Sequence, residues 1–134
     1  MIRLLSNGIG FVKGSTVSLI DERSEIAAMY KGVPQNDIGV RTDVINNCAK
    51  AMGMRMMVRS MGPTIIATDE IGGEEDIAAV IDAHTMGVKL LLTAHGDGPN
   101  DIPDALLKRR LFRNIVILDK DLLPGSVKKI VTIA

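Results

Sequence analysis

The sequence predicts an α/β domain with a mainly parallel sheet and a terminal β-hairpin. Two apolar runs without polar alternation, residues 64–68 and 88–94, are typical of strands that are buried on both faces. A segment with helical spacing separates them, as a crossover between parallel strands requires. Near the end of the chain, residues 114–118 and 127–133 flank a turn marked by Pro124-Gly125, and this arrangement predicts the hairpin.

The other elements follow from apolar periodicity and from the positions of turn-forming residues. Acidic residues in the first turn of the segment that follows residue 73 favour a helix there, because they complement the helix dipole. Gly53 weakens the prediction of a single helix in the Met-rich segment around it. The predicted elements are a helix over 1–7, a strand over 15–21, a short helix over 22–31, a loop over 32–42, a Met-rich helix over 44–61, and helices over 74–86 and 101–110.

Length and composition indicate a single globular domain, residues 1–134. Sixteen basic and sixteen acidic side chains cancel, and there are only two Phe, one Tyr and no Trp, so neither a basic field nor a base-stacking surface for nucleic acid is expected. The single cysteine, Cys48, has no partner for an internal disulfide. No apolar run approaches the length of a membrane span, so we expect a cytoplasmic protein. From the balanced charge and the low aromatic content, we expect no binding of nucleic acid.

Polar side chains follow two of the predicted strands. Asp69 and Glu70 come directly after the run 64–68, and Thr93 and His95 end the next one. Ligands of open α/β sheets bind at the carboxyl ends of the strands, so these residues are expected to form one site. In nucleotide hydrolases, an aspartate in this place holds Mg²⁺ through water and the neighbouring glutamate polarises the attacking water.

A third strand end carries charged residues of both signs. Glu22, Arg23 and Glu25 follow the predicted strand 15–21. If this strand lies in the same sheet, one of the two carboxylates is placed to position water, and the guanidinium is placed to bind phosphate. Taken alone, such a run is more often a solvated helix start.

Four segments resemble the stage III sporulation protein AA family, relatives of the secretion and pilus motor ATPases. The family is identified here from DERSEIA (21–27), GVPQNDIGVRTDV (32–44), MVRSMGPTIIATDEIG (57–72) and LLTAHG (91–96). The resemblance covers nearly the whole chain, and the loop with Pro-Gln-Asn-Asp is its most specific part. It implies a RecA/AAA-like P-loop NTPase core with bound ATP and Mg²⁺.

The resemblance also implies roles for individual residues. Asp69 and Glu70 match the Walker B carboxylates, with Asp69 orienting Mg²⁺ and Glu70 acting in catalysis. Glu22 and Glu25 lie in the segment that is similar to the acidic box of secretion ATPases, where a carboxylate positions water. His95 matches the last histidine of their histidine box, which senses the state of the nucleotide.

Three arginines and a threonine complete the expected nucleotide site. Arg59 stands in the place of an arginine of the family's Leu-Arg-Met-Arg-Pro-like stretch and is expected to neutralise phosphate charge. Arg23 and Arg41 are weaker candidates for the same role, since a surface ion pair is an equally good interpretation of each arginine. Thr93 is assigned to nucleotide binding with them.

One part of this machinery is missing from the sequence. No G-x-x-x-x-G-K-[ST] motif is present, and the glycines of residues 8–15 precede a strand instead of linking a strand to a helix. We therefore expect the chain to begin inside a hydrolase domain, after its Walker A strand and loop. Because that strand is central in such hydrolases, residues 114–118 are expected to pair directly with 88–94, or the chain to associate through these edges.

Three functions remain open from the sequence. The resemblance implies a sporulation ATPase on the mother-cell side, in the cytoplasm or peripheral to the membrane. It would form a homo-oligomeric ring, associate with membrane-associated complex subunits, and power or assemble a transport complex between mother cell and forespore. The alternative is a non-enzymatic module that docks on partner subunits. A metal-dependent hydrolase that uses Asp69, Glu70 and His95 is the third and weakest interpretation, because only one histidine is well placed.

Overall fold

The computed structural model describes residues 1–133, which divide into two compact units, residues 1–93 and residues 94–133. None of the helices formed by the described residues is long and apolar enough to cross a membrane. The elements are, in chain order, α1 (Ile2–Asn7), β1 (Gly8–Ile9), β2 (Val12–Lys13), β3 (Val17–Asp21), β4 (Met29–Tyr30), β5 (Val33–Pro34), β6 (Thr42–Asn46), α2 (Lys50–Ser60), β7 (Ile65–Thr68), α3 (Glu74–Thr85), β8 (Lys89–Leu92), a 3-10 helix (Pro99–Asp101), α4 (Asp104–Lys108), β9 (Asn114–Leu118) and β10 (Val127–Thr132).

A four-stranded parallel sheet in the order β6-β3-β7-β8 organises the first unit. Val17 of β3 lies opposite Thr42 of β6 and Ile65 of β7, and Ile65 lies opposite Lys89 of β8. The predicted α/β class and the predicted parallel pairing of the two apolar runs are confirmed. Because the strands are parallel, their carboxyl ends meet at one edge of the sheet.

The two faces of the sheet bury different partners. Leu19 of β3 and Ala67 of β7 belong to a buried apolar cluster against which residues of α1 pack. The next residue along β3, Ile20, points to the opposite face. There α2 comes so close that a Cβ atom added at Gly53 would lie 3.0 Å from Ile20 Cγ2. Glycine in the middle of α2 thus allows close helix–sheet packing, and the helix forms despite the low helix propensity of glycine.

The predicted helix over residues 22–31 is wrong. This segment forms turns and the short strand β4, and its backbone has positive φ at Ser24 (57°), Ala28 (49°) and Lys31 (48°). The carboxylate of Asp21 accepts hydrogen bonds from the backbone N–H groups of residues 25, 26 and 27, at 2.8–3.2 Å. A side chain that satisfies these donors competes directly with helix formation, which explains the difference.

The predicted helix over residues 44–61 begins later than expected. Residues 42–46 form β6, which the sequence did not predict, and α2 starts only at Lys50. Val44 and Ile45 are β-branched and lie opposite Leu19 and Ile20 of β3. Their tertiary pairing therefore overrides the helical spacing of the apolar residues.

The second unit contains the predicted hairpin. β9 and β10 are antiparallel, with Asn114 opposite Thr132. They form a two-stranded sheet of their own, so the expected direct pairing of residues 114–118 with residues 88–94 is wrong. The alternative, association of chains through these edges, stays a prediction. The predicted helix over 101–110 is shortened to α4, because Ile102 and Pro103 have extended ψ angles of 134° and 128°. A residue before proline is biased toward this extended conformation.

Candidate functional site

The carboxyl ends of β3, β7 and β8 bring several of the predicted residues to the same edge of the sheet. Arg23 follows β3 by two positions, Asp69 and Glu70 come directly after β7, and Thr93 comes directly after β8. The strand order places β7 between the other two. This edge is where open α/β sheets bind their ligands.

Asp69 is the most buried carboxylate of this group. Its side chain is 17% exposed, and its Oδ1 atom is buried without a hydrogen-bond partner among the described residues. Lys50 Nζ lies 3.7 Å from Oδ1, and Arg23 lies 3.9 Å from Oδ2. Two cations therefore neutralise Asp69 while one of its oxygens accepts no hydrogen bond, an uncommon state for a buried ionisable group.

Glu70 has a backbone conformation that residues other than glycine rarely adopt. Its φ is 36°, in the left-handed region. The hydroxyl of Thr93 accepts a hydrogen bond from Glu70 N at 2.9 Å, and the carbonyl of Thr93 accepts one from Ile71 N at 2.9 Å. Strained residues of this kind cost about 1–3 kcal/mol each and cluster at functional sites. Thr93 thus holds Glu70 in place from the neighbouring strand.

Arg23 connects two strand ends. Its Nη2 atom donates to Glu70 Oε2 at 2.8 Å and lies 3.4 Å from Glu25 and 3.9 Å from Asp69. The hydrogen bond to Glu70, and then the charges of Glu25 and Glu70, raise the pKa of the guanidinium above its ordinary value. Because the Arg23 side chain is 54% exposed, it can exchange partners at little cost.

Lys50 is a member of the site that the sequence analysis missed. Its side chain is only 9% exposed, and its ammonium donates to Glu22 Oε2 at 2.9 Å. Burial lowers the pKa of Lys50, but the hydrogen bond to Glu22 and the charges of Glu22, Asp69 and Asp76 outweigh it, so the pKa is raised. No signal in the sequence marked Lys50, because the predicted helix over 44–61 places it in a helix interior, and only the structure shows that Lys50 is the first residue of α2.

Two predicted arginines lie away from this cluster. Arg41 comes just before β6, at the opposite edge of the sheet, where its guanidinium lies 3.4 Å from the carbonyl oxygen of Ser6. Arg59 is in the last turn of α2, nine residues after Lys50, which corresponds to about 13 Å along a helix. The structure does not bring either residue to Asp69, and their roles in nucleotide binding stay predictions.

The remaining predicted residues are only partly connected to the cluster. Glu25 is 60% exposed, and its ion pair with Arg23 links it to the site. Glu22, whose side chain is 40% exposed, is held by Lys50. His95 follows Thr93 by two residues and belongs to the second unit, so its proposed sensing role stays a prediction.

The donor set fits a divalent cation that also binds phosphate. The described residues contain no group of three or more His, Cys, Asp or Glu side chains that would hold a metal ion alone. Mg²⁺ in phosphate-transfer sites, however, usually takes only one or two carboxylates and completes its shell with water and phosphate. The unpartnered Oδ1 of Asp69 is an atom to which a metal-bound water would donate.

Comparisons with known proteins identify the family. The family model "Sporulation stage III, protein AA" matches residues 1–133. The chain is 37% identical over 135 aligned positions to "Stage III sporulation protein AA" of Bacillus subtilis (strain 168), and the match covers 97% of this chain and 44% of that protein. The chain therefore spans less than half the length of this curated relative, and it belongs to the family of sporulation stage III protein AA.

Proposed function

We propose that this chain forms the Walker B side of an ATPase domain in a sporulation complex that resembles secretion and pilus motors. The observation that carries the proposal is the Asp69-Glu70 strand end: a buried carboxylate with an unpartnered oxygen, followed by a strained glutamate that Thr93 holds in place. Family membership supports the sporulation role. Its ring assembly, its membrane-associated partner subunits and its position on the mother-cell side belong to this proposal.

Asp69 is the residue that would hold Mg²⁺, through a coordinated water. A divalent cation at this place neutralises charge on the phosphates of ATP. The orphaned Oδ1 of Asp69 supports this assignment, since a buried carboxylate oxygen is normally hydrogen-bonded.

Glu70 is the residue we assign to the attacking water. Its backbone N–H donates a hydrogen bond to the Thr93 hydroxyl, which ties the start of its side chain to the end of β8. Arg23 pairs with Glu70 here, and guanidinium groups bind phosphate as well as carboxylate. In this proposal phosphate competes for Arg23, and Glu70 acts as the general base that accepts a proton from water.

The absence of a phosphate-binding loop motif gives a first test. Without its N–H donors and lysine, the 134-residue chain lacks several charge-assisted hydrogen bonds to phosphate, each worth roughly 1.5–3 kcal/mol. Since roughly 1.4 kcal/mol is tenfold in affinity, the isolated chain should bind ATP·Mg orders of magnitude more weakly than a chain of the relative's full length. Calorimetry on both chains measures this difference. Micromolar binding to the isolated chain would contradict the expectation.

A second candidate function is supported by the same absence. A chain without the phosphate-binding motif is also suited to a non-enzymatic module that docks on partner subunits. The two functions differ in one measurement: ATP hydrolysis by the full-length protein and its Asp69→Asn variant. Hydrolysis that depends on Asp69 supports the ATPase. A full-length protein that binds its partner subunits but does not hydrolyse ATP in their presence supports the docking module.

A further inference from the structure

Lys50 stands out because two strand ends and a helix end meet at its ammonium group. Glu22 comes from the end of β3, Asp69 comes from the end of β7, and Lys50 itself is the first residue of α2. Its side chain is 9% exposed. A buried lysine at a helix N-terminus is opposed by the helix dipole, so only the surrounding carboxylates keep it there.

The two contacts of Lys50 differ in kind. The distance of 2.9 Å to Glu22 is that of a hydrogen bond, whereas the distance of 3.7 Å to Asp69 is that of an ion pair only. Lys50 therefore neutralises the charge of Asp69 but leaves the Oδ1 lone pairs unused. Asp69 is balanced in charge and incomplete in hydrogen bonding at the same time.

We infer that Lys50 is a resident cation of this site, which balances Asp69 when no divalent cation is bound and gives up that contact when one binds. The inference rests on the proposed function, because it takes Asp69 as the residue that holds the cation. Lys50 keeps a hydrogen bond to Glu22 and the charge of Asp76 when it loses Asp69. The exchange therefore leaves no buried charge without a partner.

The other charged groups near Asp69 do not replace Lys50 in this role. Arg23 lies near the other oxygen, at 3.9 Å from Oδ2, and its side chain is half exposed. It makes its hydrogen bond with Glu70. Lys50 is thus the cation that faces Oδ1, the oxygen for which no hydrogen-bond donor is present among the described residues.

The consequence is competition between two cations. An ammonium near the metal site repels a divalent cation, so removing its charge should strengthen metal binding. We expect Lys50→Met to bind Mn²⁺ roughly tenfold more tightly than the wild type, because like charges a few ångströms apart interact strongly where solvent screening is reduced. A lysine that only stabilises the fold predicts no gain in metal affinity.

The experiment is Mn²⁺ binding to the 134-residue chain, followed by electron paramagnetic resonance of the free ion. Asp69→Asn should abolish the binding, and Lys108→Met is the matched control, since Lys108 forms a surface pair with Asp104. Loss of one positive charge from the surface should leave the affinity unchanged. Wild-type binding that is insensitive to Asp69→Asn contradicts the proposed function. Absent binding overturns the inference about Lys50, because no divalent cation then replaces Lys50 at Asp69 in this chain. Binding that depends on Asp69 but is not tightened by Lys50→Met overturns the inference about Lys50 alone.

A second measurement needs no destabilising variant. In proton–nitrogen correlation spectra of the wild type, the Lys50 ammonium signal, assigned by its loss in Lys50→Arg, should shift as Mg²⁺ is added. The signal of Lys108 should stay in place. If Mn²⁺ binds through Asp69 and the Lys50 signal does not move at saturating Mg²⁺, the inference is wrong.

Discussion

β3 and β7 are neighbouring parallel strands, and Asp followed by Glu marks the end of each: Asp21-Glu22 in one case and Asp69-Glu70 in the other. The carboxylate of Asp21 is fully buried and accepts hydrogen bonds from three backbone N–H groups. Asp69 is also mostly buried, but its neighbours are cations and its Oδ1 accepts no hydrogen bond from a described residue. Identical dipeptides on adjacent strands thus have different environments.

The difference in hydrogen bonding between Asp21 and Asp69 distinguishes a structural carboxylate from one that is available to bind a metal-bound water. Asp21 has exchanged its water for backbone donors and organises the turn that follows β3. Oδ1 of Asp69 is buried without a hydrogen-bond donor among the described residues, and cations lie near both carboxylate oxygens. A group in the second state gains hydrogen bonds when a metal-bound water arrives, whereas a group in the first state would lose them.

The prediction with the largest expected effect compares how Asp21 and Asp69 contribute to the free energy of unfolding. Asp21→Asn should lower the free energy of unfolding by about 3 kcal/mol, because the amide group replaces at least one charge-assisted acceptor of buried N–H groups. Asp69→Asn should change it by less than about 1 kcal/mol, since no hydrogen bond to Oδ1 is lost. Urea denaturation followed by circular dichroism measures both. Equal destabilisation by the two matched variants would remove the contrast.

The second prediction tests the two glutamates by catalysis. In the full-length protein, Glu70→Gln should lower the rate of ATP hydrolysis by at least about a hundredfold and spare ATP binding, as expected for loss of a group that polarises water. Glu22→Gln and Glu25→Gln should have much smaller effects, because Glu22 is hydrogen-bonded to Lys50 and Glu25 is largely exposed.

The comparison variant for the second prediction is Asp69→Asn. Unlike Glu70→Gln, it should weaken the Mg²⁺-dependent binding of ATP as well as its hydrolysis. Equal turnover in the wild type and in all three glutamine variants would exclude a catalytic role for these glutamates. A large loss in Glu22→Gln alone would move the catalytic carboxylate from the β7 strand end to the β3 strand end.

The smallest expected effect concerns the residue that holds Glu70. Thr93→Val removes the acceptor of Glu70 N and should destabilise the chain by about 1 kcal/mol. It should also slow hydrolysis in the full-length protein. Thr93→Ser keeps the hydroxyl and should restore the rate. A valine variant as active as the serine variant would show that the position of Glu70 does not depend on this hydrogen bond.

The parts of the fold that are local in origin were predictable. The apolar runs of β7 and β8 identify two strands, and the acidic first turn identifies α3. β7 is buried along its whole length as expected, whereas β8 lies at the end of the four-stranded sheet and is only partly buried, so its expected burial on both faces is wrong. The segment over 22–31 was not predictable as a loop, because its conformation depends on the buried carboxylate of Asp21. β6 was missed for a similar reason: its pairing with β3 is a contact between segments that are distant in sequence.

The residues of the candidate site also divide into those that the sequence predicts and those that only the structure reveals. Asp69, Glu70 and Thr93 were found because each ends a strand, and parallel strands end at one edge. Lys50 was missed because a helical pattern does not reveal that the first residue of the helix contacts Glu22 and Asp69, which lie at the ends of two strands. Arg41 and Arg59 were grouped with the site by resemblance, but the strand direction and the helix length place them elsewhere.

The sequence by itself determined the α/β class, the parallel pairing of the runs 64–68 and 88–94 and the strand ends that carry Asp69, Glu70 and Thr93, because these follow from hydrophobic periodicity and chain connectivity. Only the tertiary structure decided which Asp-Glu pair is satisfied by backbone donors and which is balanced by cations. That distinction depends on the neighbours of each buried carboxylate, and burial and hydrogen bonding are properties of the packed chain. Lys50 reaches Asp69 across 19 sequence positions, so their contact exists only in the folded protein.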